Sequence, residues 1–304
     1  ARSHFFSKLF YDFAKDEDYT SALQVNLQRV SNNTYLKVHD INTELVKTDT
    51  NILKSDINYE FQNENNFFGV SASAFEDVTK KDRTRYEYII PNLVFERNVF
   101  TDEKLGMVDI HSNAFAKNYN VNQTTKMLVN DFSWKSNMFT NFKGLESKFE
   151  GLFKIVNYEA DNAEKYKTEG FNAEVSSALA YRARFPLVKK NISKNKINFL
   201  TPKFSLRYAP GHMRNIQNDE LKLGYGNLFS INKNAQVDVI EEGVSAIYGV
   251  EISNNDFDDN VLGKKNYSLS LGQIYNIEEN TSIPSRSSLD QKASDLVGEA
   301  YLKL

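Results

Sequence analysis

The sequence predicts an all-β fold: a large, antiparallel, up-and-down transmembrane β-barrel, of which this chain is an incomplete part. Segment after segment alternates apolar and polar side chains with a period of two, which is typical of strands with one wet face. Most of these segments exceed the roughly 5–6 residues of ordinary globular strands. A strand of roughly 10 residues, tilted near 45°, crosses the hydrocarbon of a bilayer. Strand length therefore favours a tall barrel over a sandwich.

The composition excludes several classes of function. The 304 residues carry a net charge of -3, so the overall charge gives no reason to expect binding of nucleic acid. The chain has no cysteine, which excludes disulfides, thiolate metal sites and thiol catalysis. No apolar run approaches the roughly 20 residues of a transmembrane helix. That length criterion does not detect the strands of a transmembrane barrel, because apolar and polar side chains alternate along them and their mean hydropathy is therefore polar.

Predicted strands follow one another along the whole chain. The less regular ones span residues 19–29, 52–63, 67–77, 84–97, 105–117, 125–138, 145–159 and 197–208. Alternation is clearest in "GFNAEVSSALAYRA" at 170–183, "GVSAIYGVEIS" at 243–253 and "NYSLSLGQIYNI" at 266–277. A final strand at 296–304 ends the chain with no visible partner beyond it. The segments are interpreted as one partial barrel domain, residues 1–304.

The connectors between these strands are polar and of two kinds. Short, turn-rich stretches lie at 62–67, 101–104 and 254–260. Longer, charged stretches lie at 159–170 and 186–196. This mixture is typical of an up-and-down barrel with tight turns at one rim and longer loops at the other.

The residues that usually carry chemistry do not form a pattern. His4, His39, His111 and His212 show no H-x-H or H-x-x-x-H spacing, so a zinc site has no local support. His111 and Ser112 adjoin on a predicted strand, which sends their side chains to opposite faces and argues against a catalytic dyad. The sequence predicts no enzyme and no cofactor.

Several stretches, in order, resemble a known family. They are "RVSNNTYLKVHDI" at 29–41, "NILKSDINYEF" at 51–61, "YEYIIPNLVFER" at 86–97 with its central Pro91, "LTPKFSLRYAPGHMRNI" at 200–216 with Pro202 and Pro210, "EEGVSAIYGVEIS" at 241–253, "LSLGQIYNI" at 269–277 and the closing "SSLDQKASDLVGEAYLKL". From about residue 19 to the end, the chain resembles the barrel domain of the LptD (formerly OstA) lipopolysaccharide-assembly outer-membrane protein family.

The resemblance implies a function and a set of partners. Members insert lipopolysaccharide into the outer leaflet of the bacterial outer membrane through the barrel. The implied partners are lipopolysaccharide, an LptE-like plug lipoprotein inside the barrel, periplasmic lipopolysaccharide-bridge components and the membrane, with no nucleic acid. The family also has an N-terminal periplasmic jellyroll and first and last barrel strands, which we expect to lie outside this chain.

The more polar face of each clear strand is predicted to line the lumen, where the sugar-phosphate part of lipopolysaccharide needs water. The lumen-facing candidates are Asn172, Glu174, Ser245, Glu251, Ser268, Ser270 and Asn276. Two other classes stay open at this point. One is a passive, porin-like channel; the other is a soluble β-rich surface protein built as a sandwich or solenoid.

Overall fold

Strands make up the larger part of the described chain. A computed structural model describes residues 3–15, 18–81, 83–120, 123–141, 143–167, 170–191, 195–211, 213–234, 236–258 and 261–303. The strands are β1 (His4–Lys15), β2 (Tyr19–Val30), β3 (Ile52–Asn63), β4 (Asn66–Asp77), β5 (Tyr86–Asp102), β6 (Gly106–Asn120), β7 (Gln123–Lys135), β8 (Phe139–Thr140), β9 (Glu146–Asp161), β10 (Asn172–Arg184), β11 (Leu187–Asn191), β12 (Lys196–Ala209), β13 (Gly243–Asp258), β14 (Val261–Asn276) and β15 (Val297–Leu302). Two short helices are α1 (Tyr35–Val38) and α2 (Tyr225–Leu228). In these ranges, no helix combines the length and apolarity needed to cross a membrane. The predicted all-β fold is confirmed.

The strands form a single 15-stranded sheet whose order follows the sequence. The path is β1-β2-β3-β4-β5-β6-β7-β9-β10-β12-β13-β14-β15, with β8 paired to β9 and β11 paired to β12 beside it. Neighbouring strands pair antiparallel from β1 to β5 and from β12 to β15. Within the described ranges, β1 and β15 are not paired with each other. The predicted antiparallel, up-and-down topology is confirmed.

Contacts divide the chain into two compact units. Unit 1 comprises residues 1–99, 109–131 and 155–174, and unit 2 comprises residues 100–108, 132–154 and 175–304. Unit 1 has an apolar cluster in which the connector 31–51, including Leu36 and Val46, packs on Val30 and Leu53. A second cluster joins β7 to β9 through Val129 and Tyr158.

In unit 2, two long connectors pack against one face of the sheet. We name the described residues of 210–242 (without 212 and 235) and of 277–296 together the cover. Its apolar side chains Met213, Ile216, Leu221, Leu228, Val239, Ile283 and Leu289 cluster with Ile247 of β13 and Ile274 of β14. The two connectors also bond to each other, since the Ile216 amide donates to the Ser282 carbonyl over 2.8 Å. The cover is therefore a small core built on the sheet rather than a pair of solvated loops.

Three strand predictions need correction. No strand was predicted over β1, because its large apolar residues Phe5 and Phe6 are adjacent and hide the alternation. β11 occupies part of the predicted connector 186–196, where it pairs with the first residues of β12. β13 extends through most of the predicted connector 254–260, pairing with β14 as far as Asp258. Leu304, at the end of the predicted last strand, and His212 lie outside the described residues.

Candidate polar face and its cover

Five of the predicted lumen-facing residues lie on one face of the β13–β14 hairpin. The register places Ser245 opposite Asn276, Glu251 opposite Ser270 and Ser253 opposite Ser268. Directly opposed residues of an antiparallel pair share a face. We name this the polar face. The opposite, apolar face carries exposed large side chains: Tyr248, Ile252, Tyr267, Leu269, Leu271 and Tyr275.

The other two predicted residues, Asn172 and Glu174, belong to the part of β10 that lies in unit 1. Glu174 accepts a hydrogen bond of 2.8 Å from the Tyr158 hydroxyl. Asn172 donates to the Gly170 carbonyl over 3.1 Å. Both side chains are half-buried. Their assignment to a lumen remains a prediction, as it does for the five residues of β13 and β14.

A row of ion pairs crosses four neighbouring strands of unit 2. Glu150 of β9 accepts from Lys148 over 2.7 Å and from Arg182 of β10 over 2.6 Å. Lys203 of β12 pairs with Glu251 of β13 over 2.6 Å. We name these five residues the ionic row. It brings the predicted Glu251 together with four charged residues that were not predicted as site residues.

A sequence signal for the ionic row does exist. Glu146, Lys148, Glu150 and Lys154 recur at even positions of the predicted strand 145–159. In a strand with period two, those positions share one face. Four charges among the five even positions from 146 to 154 therefore indicate a polar face, as the serines do on β13 and β14.

A recess lies beside the ionic row. It has a volume of about 220 Å³, and Lys148, Arg182 and Lys203 line it together with Arg184 and Glu146. Phe229 of the cover and Met138 contribute apolar wall. The lining holds four cations and one carboxylate, and Glu150 and Glu251 pair with three of the cations from beside it. The group keeps a net positive charge, which favours anionic groups in the recess.

The cover is tied to the polar face by strand cations that donate to cover carbonyls. Arg207 of β12 is almost completely buried and donates to the Ile231 carbonyl over 2.6 Å. It also donates to the carbonyl and the carboxylate of Glu241, over 2.5 Å and 3.2 Å. Lys154 of β9 donates to the Val237 carbonyl over 2.5 Å. Guanidinium and ammonium groups provide several N–H donors and no acceptor, so they suit such unpaired carbonyls.

The second cover segment is held by a predicted residue. The Asn276 side chain donates to the Leu289 carbonyl over 3.0 Å and to the Gln291 carbonyl over 2.8 Å. Ser245, opposite Asn276, is buried, and Asn276 itself is half-buried. The end of the polar face that these two residues mark is therefore covered by protein. Glu251, nearer the opposite end of the strands, is only half-buried.

Two glycines create room for the cover on the polar face. Gly249 lies directly opposite Gly272 in the hairpin. A Cβ on Gly272 would lie 2.4 Å from Leu228 Cδ2 and 2.9 Å from the Tyr248 carbonyl oxygen. A Cβ on Gly249 would lie 3.2 Å from Phe229 Cζ and 2.8 Å from the Leu271 carbonyl oxygen. We name the two residues the glycine notch, because the missing side chains leave room for Leu228 of α2 and for Phe229 to pack on the hairpin.

One buried lysine in the cover has an unusual acidity. Burial, followed by the repulsive charge of Arg207, lowers the pKa of Lys233 from 10.5 to about 8, against the opposing attraction of Glu241. The Lys233 backbone N–H donates to the Glu241 carboxylate over 2.6 Å. The Glu241 carboxylate therefore accepts hydrogen bonds from Lys233 of the cover and from Arg207 of the sheet.

His111 and His4 lie on strands and contact ordinary polar side chains. His111 contacts Glu96 over 3.0 Å, whereas its neighbour Ser112 donates to Asn130 over 2.7 Å, so the two share no partner in these contacts. His4 contacts the Tyr35 hydroxyl over 3.2 Å. Across the described ranges, no group of three or more His, Cys, Asp or Glu side chains is placed to hold a metal ion.

Long antiparallel strands in up-and-down order, with large apolar side chains exposed on one face and ion pairs on the other, define the class of outer-membrane β-strand proteins. A family model described as "LptD: LPS transport system D" matches residues 6–304. The chain therefore belongs to the LptD family, an outer-membrane family that transports and assembles lipopolysaccharide. The match begins before residue 19 and includes β1 from Phe6 onward. No curated protein matches the chain.

Proposed function

We propose that this chain forms part of the transmembrane barrel through which lipopolysaccharide enters the outer leaflet, and that its polar face lines the lumen. The observation that carries the proposal is the contrast between the two faces of β12–β14 in a member of the LptD family. One face exposes residues such as Phe204, Leu206 and Leu269, and the other carries Lys203 and Glu251 of the ionic row.

Membrane energetics support this orientation. A lysine or arginine on the lipid face at mid-membrane costs about 2–4 kcal/mol. Lys148, Arg182 and Lys203 would together cost several kcal/mol if they faced acyl chains. They cost far less beside water and the carboxylates of Glu150 and Glu251. The apolar face, in contrast, gains from contact with lipid.

The ionic row offers a defined route for the polar part of the cargo. Phosphate groups are strong acceptors for arginine and lysine donors. The recess beside Lys148, Arg182 and Lys203 supplies such donors, while Glu150 and Glu251 keep them paired when no cargo is present. Exchange of one anionic partner for another would let a sugar-phosphate group pass without being trapped. Lining serines such as Ser268 and Ser270 add hydroxyl partners.

The partners and the remaining domains are part of the same proposal. An LptE-like lipoprotein would occupy the lumen and contact the polar face, and periplasmic bridge components would deliver lipopolysaccharide. A periplasmic jellyroll and the first and last barrel strands would belong to the whole protein outside this chain. Family membership supports these proposals in general terms.

Photo-crosslinking in cells tests the route. A photoreactive amino acid is placed at Ser268 on the polar face or at the adjacent Leu269 on the apolar face, in the protein as the bacterium makes it. We expect lipopolysaccharide adducts at position 268 in growing cells, and far fewer at position 269. Strong labelling at 269 with none at 268 would reverse the face assignment.

A porin-like channel is the competing function, and the same strains distinguish it. A passive channel predicts no lipopolysaccharide adduct at position 268 and predicts solute flux in proteoliposomes. The cover argues against it locally, because Arg207 and Lys154 fix protein over part of the polar face.

A further inference from the structure

A second recess lies on the apolar face of unit 1, outside the proposed route. It has a volume of about 560 Å³ and sits where β2, β3, β4 and β5 meet the connectors 31–51 and 78–85. The lining residues are Phe5, Leu27, Gln28, Arg29, Ser55, Ala74, Phe75, Glu76, Tyr86 and Tyr88. Ala74 and Glu76 continue the face of β4 that carries the exposed Phe68.

The charges in this recess do not cancel. Glu76 is buried and pairs with Arg85 over 2.9 Å. Arg85 also donates to the Tyr86 hydroxyl and lies 4.7 Å from the centre of the Tyr86 ring. The Arg29 side chain is exposed and attracts Glu76 only at longer range. Among the described residues Arg29 makes no hydrogen bond or close ion pair, so its positive charge stays at the recess while Arg85, beside the lining, neutralises Glu76.

The walls around Arg29 are apolar and open to the surroundings. Phe5 is 59% exposed, and Leu27 and Tyr88 are 39% and 41% exposed. On a strand face that contacts acyl chains, lipid covers such exposed apolar side chains and keeps them from water. Tyr86 and Tyr88 lie at the strand ends, where tyrosines of membrane proteins meet the headgroup level.

We propose that this recess binds the phosphate headgroup of a membrane lipid. Arg29 is the principal contact, and the acyl chains lie along Phe5 and Leu27. A guanidinium presents two parallel N–H donors that match phosphate oxygens, which makes arginine well suited to this contact. A free anion would leave the apolar walls unused, so charge and shape together select an amphiphile. The inference rests on the membrane-spanning part of the proposed function and not on transport.

Native mass spectrometry of the protein isolated from the outer membrane in detergent tests the site. The probes are phosphatidylglycerol, diacylglycerol with the same chains, and inorganic phosphate. We expect phosphatidylglycerol to be retained by the unmodified protein and to bind roughly 10–100-fold more weakly to Arg29→Gln, since charge-assisted hydrogen bonds are lost. Arg29→Lys keeps the charge without the fork and should give an intermediate loss.

Arg97→Gln is the matched control. Arg97 is also exposed and stands opposite Asn66, near the end of β4 remote from Glu76. Its replacement removes one charge of the same kind and should leave phosphatidylglycerol retention unchanged. Heat-modifiable migration on gels verifies that each variant is folded.

Three results would overturn the proposal. Arg29→Gln could retain the lipid as well as the unmodified protein, diacylglycerol could bind equally well, or inorganic phosphate could compete at the concentration of the lipid. Crosslinking of lipopolysaccharide at Ser268 reports separately on the transport proposal. If no lipopolysaccharide adduct forms at position 268 but phosphatidylglycerol still binds, the transport proposal is wrong and the lipid-site proposal is unaffected.

Discussion

Replacing Arg207 with methionine should release the cover while leaving the sheet intact. The Arg207 and Glu241 side chains are only 3% and 5% exposed. Removing one partner of a buried pair costs about 3–5 kcal/mol, because the remaining charge stays buried. Here the lower end applies, since Glu241 keeps the Lys233 N–H at 2.6 Å. A cost of about 3 kcal/mol makes the open cover roughly 100-fold more populated, at 1.4 kcal/mol per factor of ten.

Amide hydrogen exchange measures this population directly. The Ile216 and Asp219 amides report on the cover, because each is bonded inside it over 2.8 Å. The ladder amides of β13 and β14 report on the sheet. We expect exchange in Arg207→Met to accelerate roughly 100-fold at the cover amides and to change little in the ladder.

Arg184→Met is the control, since it breaks another arginine–glutamate pair in a different setting. The Arg184 side chain is 49% exposed and that of Glu146 is 22% exposed. Exposed pairs contribute about 0–1 kcal/mol, so exchange at the cover should change less than about 5-fold. Equal effects of the two variants, or no effect of Arg207→Met on the cover, would refute the reasoning from burial.

Three further predictions concern the cover and one charged strand. Gly272→Ala should destabilise the closed cover by about 1–3 kcal/mol, because the new Cβ would lie 2.4 Å from Leu228. Hydrogen exchange at the cover amides measures this loss. Gly226→Ala is the control and should be neutral, since its Cβ would have no neighbour within 4 Å. Lys233 is protonated in the closed and open cover below about pH 8, so its burial penalty is constant there. Above about pH 8 the closed form loses the proton first, and the cover should gain up to about 3 kcal/mol by pH 10.5. A spin label on an introduced cysteine at Asn218 should therefore lose mobility as the pH rises, and Lys233→Met should abolish the change. Glu150→Gln removes the carboxylate that Lys148 and Arg182 share, so it should lower the thermal unfolding midpoint. Glu159→Gln is the control: Glu159 forms an exposed pair with Lys126, and its replacement should leave the midpoint unchanged.

Local pattern was enough to predict most of the strands and, on β13 and β14, which residues share a face. Alternation in 243–253 and 266–277 identified both strands, and the observed register places Ser245 opposite Asn276 on one face. These predictions succeed because a strand sends alternate side chains to opposite faces whatever lies around it. β1 escaped because consecutive large residues at Phe5 and Phe6 blur that period.

The cover could not be predicted from local pattern. Its links join residues far apart in the sequence, such as Lys154 and Val237, which are 83 positions apart. The cover segment 210–242 has no strand or helix period, and its burial depends on the glycine notch that only the folded hairpin forms. The ionic row is intermediate: its alternating charges were visible in 145–159, but their partners on β10 came from the sheet order.

Lipid exposure along β14 tests the central claim most directly, since the chain has no cysteine and an introduced one is unique in it. A bimane probe is attached in turn at positions 268, 269, 270 and 271, and the protein is reconstituted with nitroxide-labelled lipid. The account predicts strong quenching at 269 and 271, where leucines are exposed, and weak quenching at the serines 268 and 270. Equal quenching at all four positions, or quenching strongest at the serines, would contradict it.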